Sequence, residues 1–571
     1  MKRSIVIWGA GKIGRGFLAE AFRGGEYEVV LVDAAEQLVT ALNDAGRYPL
    51  IKAMTGLEPE IVEIDGYRAL RASDREAIRA EVRQAPFVGV AVFPAVFDAL
   101  ADSLAEAIGD RVAGADPLDV IVCANARGAA EDLRERVAHR LDDAGRSWMD
   151  DNVGFVETVI MRIGVPTPDR FAEYGALAVT TNGFPYMPIH APAFKNAIPD
   201  IPIIKPIENI HAEEERKFFT YNMAHAVYAY AGRMRGHTTI LEAAADPLVT
   251  QEVEAALDEA GRALVKEHGF DQEEMADWNR TVVANLTNPL LEDTLERLGK
   301  DPIRKLGPQD RLVGPARLCK RHGVLPWYLT RAIARAFFFD IDGDDAAQRL
   351  QSMLRQDGIA DTIRRVGELD RDPEIVTFVK SHFQRLLADP RGSENLERVA
   401  ALRTAYENGF RYEKVYHGCA QCALASMFDV GGKTDKPLFQ AASAFAGGMG
   451  LTGDGVCGGY AAGVMWMGSY VGRRFDKFDG DKEAQYKSFE MTQRLRDRFL
   501  ETYGSLTCRH IHESIFGRAY ILRTKAVRNE FEDAGGHADR CTSVVAMASL
   551  WSSEILMDEG YLPDTSEPRT E

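Results

Sequence analysis

The chain has 571 residues, more than one hydrophobic core normally holds, so we expect two to four domains. Its composition, 46% hydrophobic and 27% charged, is that of an ordinary globular protein. The net charge of −18 argues against a nucleic-acid-binding protein, which would carry a basic excess or a basic stripe.

The N-terminus runs from Met1-Lys2-Arg3 directly into a short strand and glycines, without the apolar region and cleavage site of a secretory signal. The longest apolar stretch, residues 456–472, is shorter than the about 20 residues that a membrane helix needs, and it is rich in glycine. We therefore expect a cytoplasmic protein with neither a membrane nor a nucleic-acid partner.

Short apolar runs alternate with helical patterns over the first 200 residues. The pattern predicts strands at 4–8, 28–32, 87–93 and 120–124, and helices at 14–22, 97–108 and 129–141. This order of elements predicts an α/β domain with a Rossmann-like, doubly wound parallel sheet.

Strand signals become rare after about residue 205, and long amphipathic runs predict an all-helical second domain. Turn-forming residues at 388–394 predict a linker. A third, mostly helical and cysteine-rich domain follows. We therefore divide the chain into residues 1–200, 201–388 and 395–571.

The turn after the first strand matches GxGxxG and consists of Gly9, Ala10, Gly11, Lys12, Ile13 and Gly14. Its first glycine permits a tight turn, its second lets the backbone approach a pyrophosphate, and its third lets the helix pack on the strand. The amides that begin the helix would bind the phosphates of a dinucleotide. The alternative is an ordinary strand–helix turn.

Asp33 ends the second predicted strand, close to the position where a carboxylate accepts a hydrogen bond from the adenosine ribose. A carboxylate there would repel a 2′-phosphate, so the sequence favours NAD over NADP. The alternative is that Asp33 caps a helix.

The helical run around residues 212–234 carries Lys217, Asn222 and His225. At about 100° per residue, Asn222 lies about 140° and His225 about 80° from Lys217, so all three can project into one cleft. A desolvated lysine can take the proton of an alcohol as hydride leaves its carbon. Asn222 can donate to the developing oxyanion, and His225 can orient it. Without further evidence, such residues more often form a solvated helix face.

The pattern K-x4-N-x2-H downstream of GxGxxG resembles the polyol-specific long-chain dehydrogenase/reductase family, most closely its mannitol-1-phosphate 5-dehydrogenases. The resemblance covers about residues 1–385 and is carried by 8–17, 32–43, 153–163, 205–211, 216–230, 236–240 and 288–312. It implies metal-independent hydride transfer with Lys217 as general base, and Asn125 beside Asn222 as an amide donor to the substrate oxygen. The chain departs from the family at Ala124, where an acid is common, and at Met161, where an aspartate is common.

A basic cluster stands out in residues 297–311 of this acidic chain. Because part of the resemblance lies here, Arg304 and Lys305 are candidates for binding a substrate phosphate. The alternative is a solvated helix face with ion pairs to Glu292, Asp293 and Glu296.

Five of the seven cysteines lie in the last third of the chain, which in a reducing cytoplasm indicates metal or redox chemistry. An iron–sulfur cluster, another soft metal or dithiol pairs could involve Cys419, Cys457, Cys508 and Cys541. Cys419-x2-Cys422 also has the spacing of a redox dithiol. The alternative is that these are buried free thiols acting as small hydrophobes.

Residues 412–556 resemble a small family that is named for its C_GCAxxG_C_C pattern and described as redox-active. The resemblance is carried by 417–428, 444–463, 506–512 and 539–550. It identifies a domain more than a reaction.

These observations predict an NAD-dependent oxidoreductase that interconverts a polyol phosphate and a keto-sugar phosphate, with an appended redox or metal module. Two alternatives stay open. One is a hexuronate or aldonate reductase, and the other is a non-catalytic sensor of NAD and thiol state. The sequence sets neither the metal nor the oligomeric state.

Overall fold

A computed structural model of the chain describes residues 3–23, 27–112, 114, 116–124, 126–291 and 293–563. Its contacts form two compact units. Unit 1 comprises residues 1–218 and 281–292, and unit 2 comprises residues 219–280 and 293–571. Every strand of the described residues lies in unit 1, whereas unit 2 is helical.

Within the described part of unit 1 there are twelve strands, which are β1 (Arg3–Trp8), β2 (Tyr27–Asp33), β3 (Arg47–Lys52), β4 (Glu60–Asp65), β5 (Tyr67–Arg71), β6 (Phe87–Val90), β7 (Leu118–Val122), β8 (Val153–Glu157), β9 (Gly164–Val165), β10 (Val179–Thr181), β11 (Met187–His190) and β12 (Ile204–Ile207). Six form a parallel sheet in the order β5-β2-β1-β6-β7-β8. The strand order reverses between β1 and β6, and ligands of such sheets bind at the carboxyl ends beside that point. The predicted Rossmann-like sheet is confirmed.

The helices of unit 1 are α1 (Ala19–Arg23), α2 (Glu36–Ala45), α3 (Arg75–Gln84), α4 (Phe97–Arg111), α5 (Ala129–Ala138), α6 (Asp143–Asn152) and α7 (Ile210–Lys217). A separate apolar cluster covers each face of the sheet. Val6 belongs to one cluster and its neighbours Ile5 and Ile7 to the other, since successive residues of a strand point to opposite faces.

Two smaller sheets, with orders β4-β3-β10-β9 and β11-β12, complete the strands of unit 1. The sequence analysis predicted neither. Strand β4 is mostly exposed and strand β9 has two residues, so neither presents a continuous apolar run.

The remaining helices are α8 (Met223–Met234), α9 (Ile240–Ala244), α10 (Pro247–His268), α11 (Gln272–Leu286), α12 (Leu295–Gly299), α13 (Pro302–Lys305), α14 (Val313–Arg321), α15 (Trp327–Ala336), α16 (Asp345–Val366), α17 (Pro373–Ala388), α18 (Leu396–Tyr416), α19 (Cys419–Gly431), α20 (Lys436–Ala441), α21 (Gly458–Val471), α22 (Lys482–Tyr503), α23 (Cys508–Phe516), α24 (Lys525–Asp533) and α25 (Cys541–Asp558). The predicted helical character of the chain beyond the sheet is confirmed. Helix α11 crosses the division between the units.

Unit 2 contains both the helices between residues 223 and 388, apart from the end of α11, and those of the cysteine-rich region. Tyr503 of α22 donates a hydrogen bond to Glu374 of α17. Glu554 of α25 pairs with Arg385 of α17 and Arg498 of α22. The division at residues 388–395 stays a prediction, because the two regions pack together within this unit.

Among the residues that the structure describes, no helix combines the length and the apolar character needed to cross a membrane.

Candidate functional site

The GxGxxG turn connects β1 to a π-helical turn, Gly14–Leu18, and then to α1. Gly9 has a φ of 94°, and a Cβ on it would lie 2.5 Å from the carbonyl oxygen of Ala91. A Cβ on Gly14 would lie 1.8 Å from the carbonyl oxygen of Gly9. At Gly11, by contrast, no described heavy atom lies within 4 Å of the Cβ position, so the backbone is open to a ligand.

Asp33 stands at the carboxyl end of β2, where its side chain reaches the glycine turn. Its Oδ2 accepts a hydrogen bond from the amide of Ala10 at 2.7 Å, and its Oδ1 accepts one from the amide of Ala35 at 2.9 Å. A carboxylate oxygen has two lone pairs, so each oxygen keeps capacity to accept from a ribose hydroxyl. Of the turn's other residues, Ala10 is buried, Ile13 is half-buried and Lys12 is exposed.

Lys217 is the last residue of α7 and lines a small open pocket of unit 1. The pocket's other lining residues are Ala124, Ala126, Arg127, Thr158, Val159, Ile160, Glu214 and Phe218. Six of these eight residues lie in the segments that follow β7 and β8, so Lys217 lies at the carboxyl edge of the parallel sheet. The glycine turn, which follows β1, is at the same edge.

Asn125 lies outside the described residues, and its neighbours Ala124 and Ala126 line the Lys217 pocket. The sequence analysis did not single out Arg127 or Glu214 as pocket residues. Arg127 lies two residues after Asn125, and Glu214 lies between the segments 205–211 and 216–230, so the family resemblance could have pointed to both. Met161 is buried, so the position where the family often has an aspartate presents a thioether here.

Asn222 and His225 belong to unit 2, whereas Lys217 belongs to unit 1. Asn222, which is buried, ends a π-helical turn, Phe218–Asn222, and His225 is half-buried in α8. A π turn closes i→i+5 hydrogen bonds and advances by a smaller angle per residue than an α-helix. The angles calculated for a regular α-helix therefore do not hold across residues 218–222.

The basic cluster separates into two kinds of side chain in unit 2. Arg297 pairs with Asp293, and Lys300 lies 3.9 Å from Glu296, as the helix-face alternative predicts. Lys305 is instead buried in α13 and donates to the carbonyl oxygen of Lys300.

Burial, together with the nearby charges of Arg311 and Arg304, lowers the pKa of Lys305 to about 7. Arg304 is exposed and lies 2.9 Å from Asp301 and 3.6 Å from Asp310. Lys305 is therefore the group in this cluster whose charge a bound anion would change most. Glu292, the third acid of the helix-face alternative, lies outside the described residues.

Four cysteines that are distant in sequence line one cavity of unit 2. They are Cys419, Cys457, Cys508 and Cys541. Each stands at or directly before the first residue of a helix, namely α19, α21, α23 and α25. Cys422 is not among the lining residues, and its Sγ donates to the carbonyl oxygen of His417 at 3.2 Å.

Burial raises the pKa of all four cavity thiols, to about 12 for Cys508. At Cys457 the backbone amides of Tyr460 and Gly459 hydrogen-bond the sulfur and act in the opposite direction. Uncharged thiols are therefore expected near neutral pH, and a bound metal would have to displace their protons.

His512 contacts two of these thiols. Burial lowers its pKa to about 4, so the ring is neutral at physiological pH. The backbone amide of Tyr520 donates to Nδ1, which leaves the ring proton on Nε2. That nitrogen lies 3.7 Å from the sulfur of Cys508 and 3.5 Å from the sulfur of Cys541, so its single N–H can donate to either sulfur.

Three family models match the chain. "Mannitol dehydrogenase Rossmann domain" matches residues 3–203, and "Mannitol dehydrogenase C-terminal domain" matches residues 209–387. "Putative redox-active protein (C_GCAxxG_C_C)" matches residues 417–555.

Two curated relatives are mannitol-1-phosphate 5-dehydrogenases. The protein from Geobacillus thermodenitrificans is 34% identical over 387 residues, which are 67% of this chain and 98% of the relative. The protein from Bacillus licheniformis is 36% identical over 379 residues, which are 66% and 98% of the two chains.

Two solved structures share the fold. Pseudomonas fluorescens mannitol 2-dehydrogenase, in a ternary complex with NAD and D-mannitol, aligns with a TM-score of 0.56 and 18% identity, covering 68% of this chain and 93% of the other. A substrate-free D-sorbitol dehydrogenase aligns with a TM-score of 0.53 and 14% identity, covering 66% and 95%.

Proposed function

The chain belongs to the mannitol dehydrogenase family, and from this premise we propose that it is an NAD-dependent dehydrogenase that interconverts a polyol phosphate and a keto-sugar phosphate. The observation that carries the proposal is the pocket of Lys217, which lies at the carboxyl edge of the parallel sheet. The open glycine turn is at that edge too, and ligands of doubly wound sheets bind there.

The space around the glycine turn suits the phosphates of NAD. The backbone at Gly11 is unobstructed, while the contacts at Gly9 and Gly14 exclude any larger side chain. Asp33 would accept from the ribose hydroxyls. When bound, NAD supplies the acceptor for a hydride.

In the proposed reaction the substrate carbon loses a hydride and its hydroxyl loses a proton, so that the C–O bond becomes a carbonyl. Lys217 Nζ takes that proton as the general base, and in the reverse direction the ammonium returns it. The amides of Asn125 and Asn222 donate to the oxygen as negative charge develops, and His225 orients it. The roles of these three residues rest on the family pattern.

A cytoplasmic location is proposed as well. All seven cysteines are free thiols, as is usual for proteins of a reducing compartment. The expected absence of a nucleic-acid or membrane partner stays a prediction.

For the nucleotide site we expect Gly11→Ala to keep the fold but weaken NAD binding about tenfold or more. The added methyl group meets no protein atom but occupies space that a phosphate needs, and a hydrogen bond to a charged group contributes about 1.5–3 kcal/mol. Isothermal titration calorimetry with NAD and NADP measures this, and wild type should prefer NAD. Gly109→Ala is the matched control, since its Cβ position is equally open but lies in α4. Unchanged NAD affinity in Gly11→Ala would contradict the site, and tighter NADP binding would contradict the role of Asp33.

For catalysis we expect Lys217→Ala to lower kcat by about 10²–10⁴-fold while NAD affinity stays near that of wild type, because a general base acts on the reacting proton. Steady-state kinetics with polyols, polyol phosphates and aldonates tests this. Lys205→Ala, an exposed lysine of the same unit, is the control. Near wild-type turnover in Lys217→Ala would refute the mechanism. Preferred turnover of aldonates would favour the sugar-acid alternative, and NAD binding without turnover on any substrate would favour the sensor.

For the substrate phosphate we propose Arg304 and Lys305 as ligands. The double alanine variant should raise KM for a phosphorylated hexitol selectively, about tenfold or more, whereas Arg297→Ala with Lys300→Ala should not. Because Lys305 loses its proton as pH rises through about 7, the ratio of KM for phosphorylated to plain hexitol should rise above that pH. Lys305→Ala should flatten the rise. Equal effects of the double variant on both substrates would exclude this phosphate site.

We further propose that at least two of the four cavity thiols are chemically coupled, in an iron–sulfur or other soft-metal centre or as a reversible dithiol. The support is that four helices bring them to one cavity in which His512 contacts two of them. Anaerobic purification with iron, sulfide and zinc analysis and thiol counting tests this. Cys457→Ser should change the result and Cys422→Ser should not. If the protein is metal-free and its four thiols titrate independently before and after mild oxidation, the proposal is wrong and the cysteines are buried free thiols.

A further inference from the structure

Two histidines and a glutamate meet beside the thiol cavity. They are His417, Glu532 and His537, hereafter the His/Glu triad, and all three line that cavity. The side chains of His417 and Glu532 are half-exposed, and that of His537 is mostly covered. An ion from solvent can therefore reach them.

We propose that the His/Glu triad binds one divalent metal ion of the borderline class, such as Zn²⁺ or Fe²⁺, at a site separate from the thiols. The proposal goes beyond the dehydrogenase function and beyond the thiol centre, and it depends on neither.

The donor atoms are already close together. One ligand atom from each of the three side chains lies within 4.8 Å of the other two. His537 Nδ1 is 2.6 Å and His417 Nδ1 is 4.0 Å from Oε1 of Glu532, and the two imidazole centroids are 3.9 Å apart. Metal–ligand bonds to histidine and carboxylate are about 2.0–2.2 Å, so small side-chain rotations would place all three donors on one ion.

A buried carboxylate behind His537 supplies an independent observation. Glu413 of α18 is 3% exposed, and its Oε1 lies 3.5 Å from Nε2 of His537. Its Oε2 has no hydrogen-bond partner among the described residues. A metal-bound histidine commonly donates its second ring N–H to a carboxylate, which fixes the ring. With the ion on Nδ1 of His537, the Nε2–H would be directed toward Glu413.

The backbone brings the triad together from three places. His417 lies between α18 and α19 with a φ of 60°, a conformation that few non-glycine residues adopt and that is common at ligand sites. Glu532 lies in α24, and His537 lies in the π-helical turn Gly536–Arg540 directly before α25.

The competing interpretation is an ordinary ion pair in which His537 lies between Glu413 and Glu532. That pairing rests mainly on His537, since the second imidazole, His417, lies as far as 4.0 Å from Glu532. Two imidazoles and one carboxylate form a donor set that suits zinc or ferrous iron and leaves coordination positions open.

Cobalt(II) is the probe, because it replaces both metals and reports its ligands by its spectrum. The full chain, stripped with a chelator and kept reduced, is titrated with Co²⁺. We expect one equivalent to give the visible bands of nitrogen and oxygen ligation without the intense sulfur-to-cobalt charge-transfer absorption. His417→Ala, His537→Ala and Glu532→Gln should each remove that component. Glu413→Gln should weaken binding about 10–100-fold.

Two controls make the result decisive. His322→Ala removes another histidine of unit 2 that contacts a glutamate, Glu267, and should leave the spectrum unchanged. The Cys457→Ser and Cys508→Ser variants should also keep it, although they would remove any thiol-bound cobalt.

Because Glu532→Gln preserves the side-chain shape, it decides the question if a histidine variant fails to fold, with circular dichroism as the check. The proposal is overturned if folded Glu532→Gln binds cobalt like wild type. It is also overturned if every cobalt band shows sulfur ligation and disappears with the cysteines, or if no cobalt binds. If the wild-type chain shows the triad spectrum but neither thiol-bound metal nor coupled thiols, only the thiol proposal is overturned.

Discussion

A Cβ on residue 14 would meet the carbonyl oxygen of Gly9, and a Cβ on residue 9 would meet the carbonyl oxygen of Ala91, which follows β6. These two contacts allow only glycine, and they hold the start of the first helical segment against the carboxyl ends of β1 and β6. That is where the strand order reverses, so the amides, Asp33 and the open backbone at Gly11 share one edge of the sheet. The proposed cofactor site depends on this close approach, because a larger residue would displace the helix from the strand.

In the cysteine-rich region, too, glycines allow a close approach, here between the backbone and cysteine side chains. A Cβ on Gly458 would lie 2.4 Å from Sγ of Cys419, and a Cβ on Gly448 would lie 2.7 Å from Cβ of Cys508. Gly463 instead permits helix crossing, since its Cβ would meet Ser552 of α25. The glycine-rich stretch therefore does two things. It lets the backbone lie close to the cysteine side chains, and it lets two helices pack closely where they cross. Burial raises the pKa of each thiol. At Cys457 and Cys419, backbone amides act in the opposite direction and supply part of the polarity that a thiolate or a bound metal would need.

The sequence was most informative where one local pattern determines one structure. Buried strands such as β2 and β7 were predicted because their apolar runs are continuous. The glycine turn was predicted because each glycine of the GxGxxG spacing has a steric reason. The π turn at Phe218–Asn222 was missed, since the amphipathic pattern of 212–234 fits an uninterrupted α-helix equally well. The shared cavity of the cysteines was a hypothesis from clustering alone, because convergence depends on how helices pack. The His/Glu triad follows no standard spacing, although His417 and His537 each lie within a few residues of a cavity cysteine and could have been noticed.

The helical region before residue 388 and the cysteine-rich region are joined by hydrogen bonds and ion pairs that involve buried polar groups. Lys320 lies between Asp372 and Glu374, and Glu374 also accepts from Tyr503 of α22. Buried charges are costly when they lose a partner, so each region stabilises the other through these contacts. A chain shortened before residue 395 would keep every residue assigned to catalysis, yet Arg385 would lose Glu554 and Glu374 would lose Tyr503. Its activity would then depend on whether α17 stays packed without them, which is a question of stability rather than of chemistry.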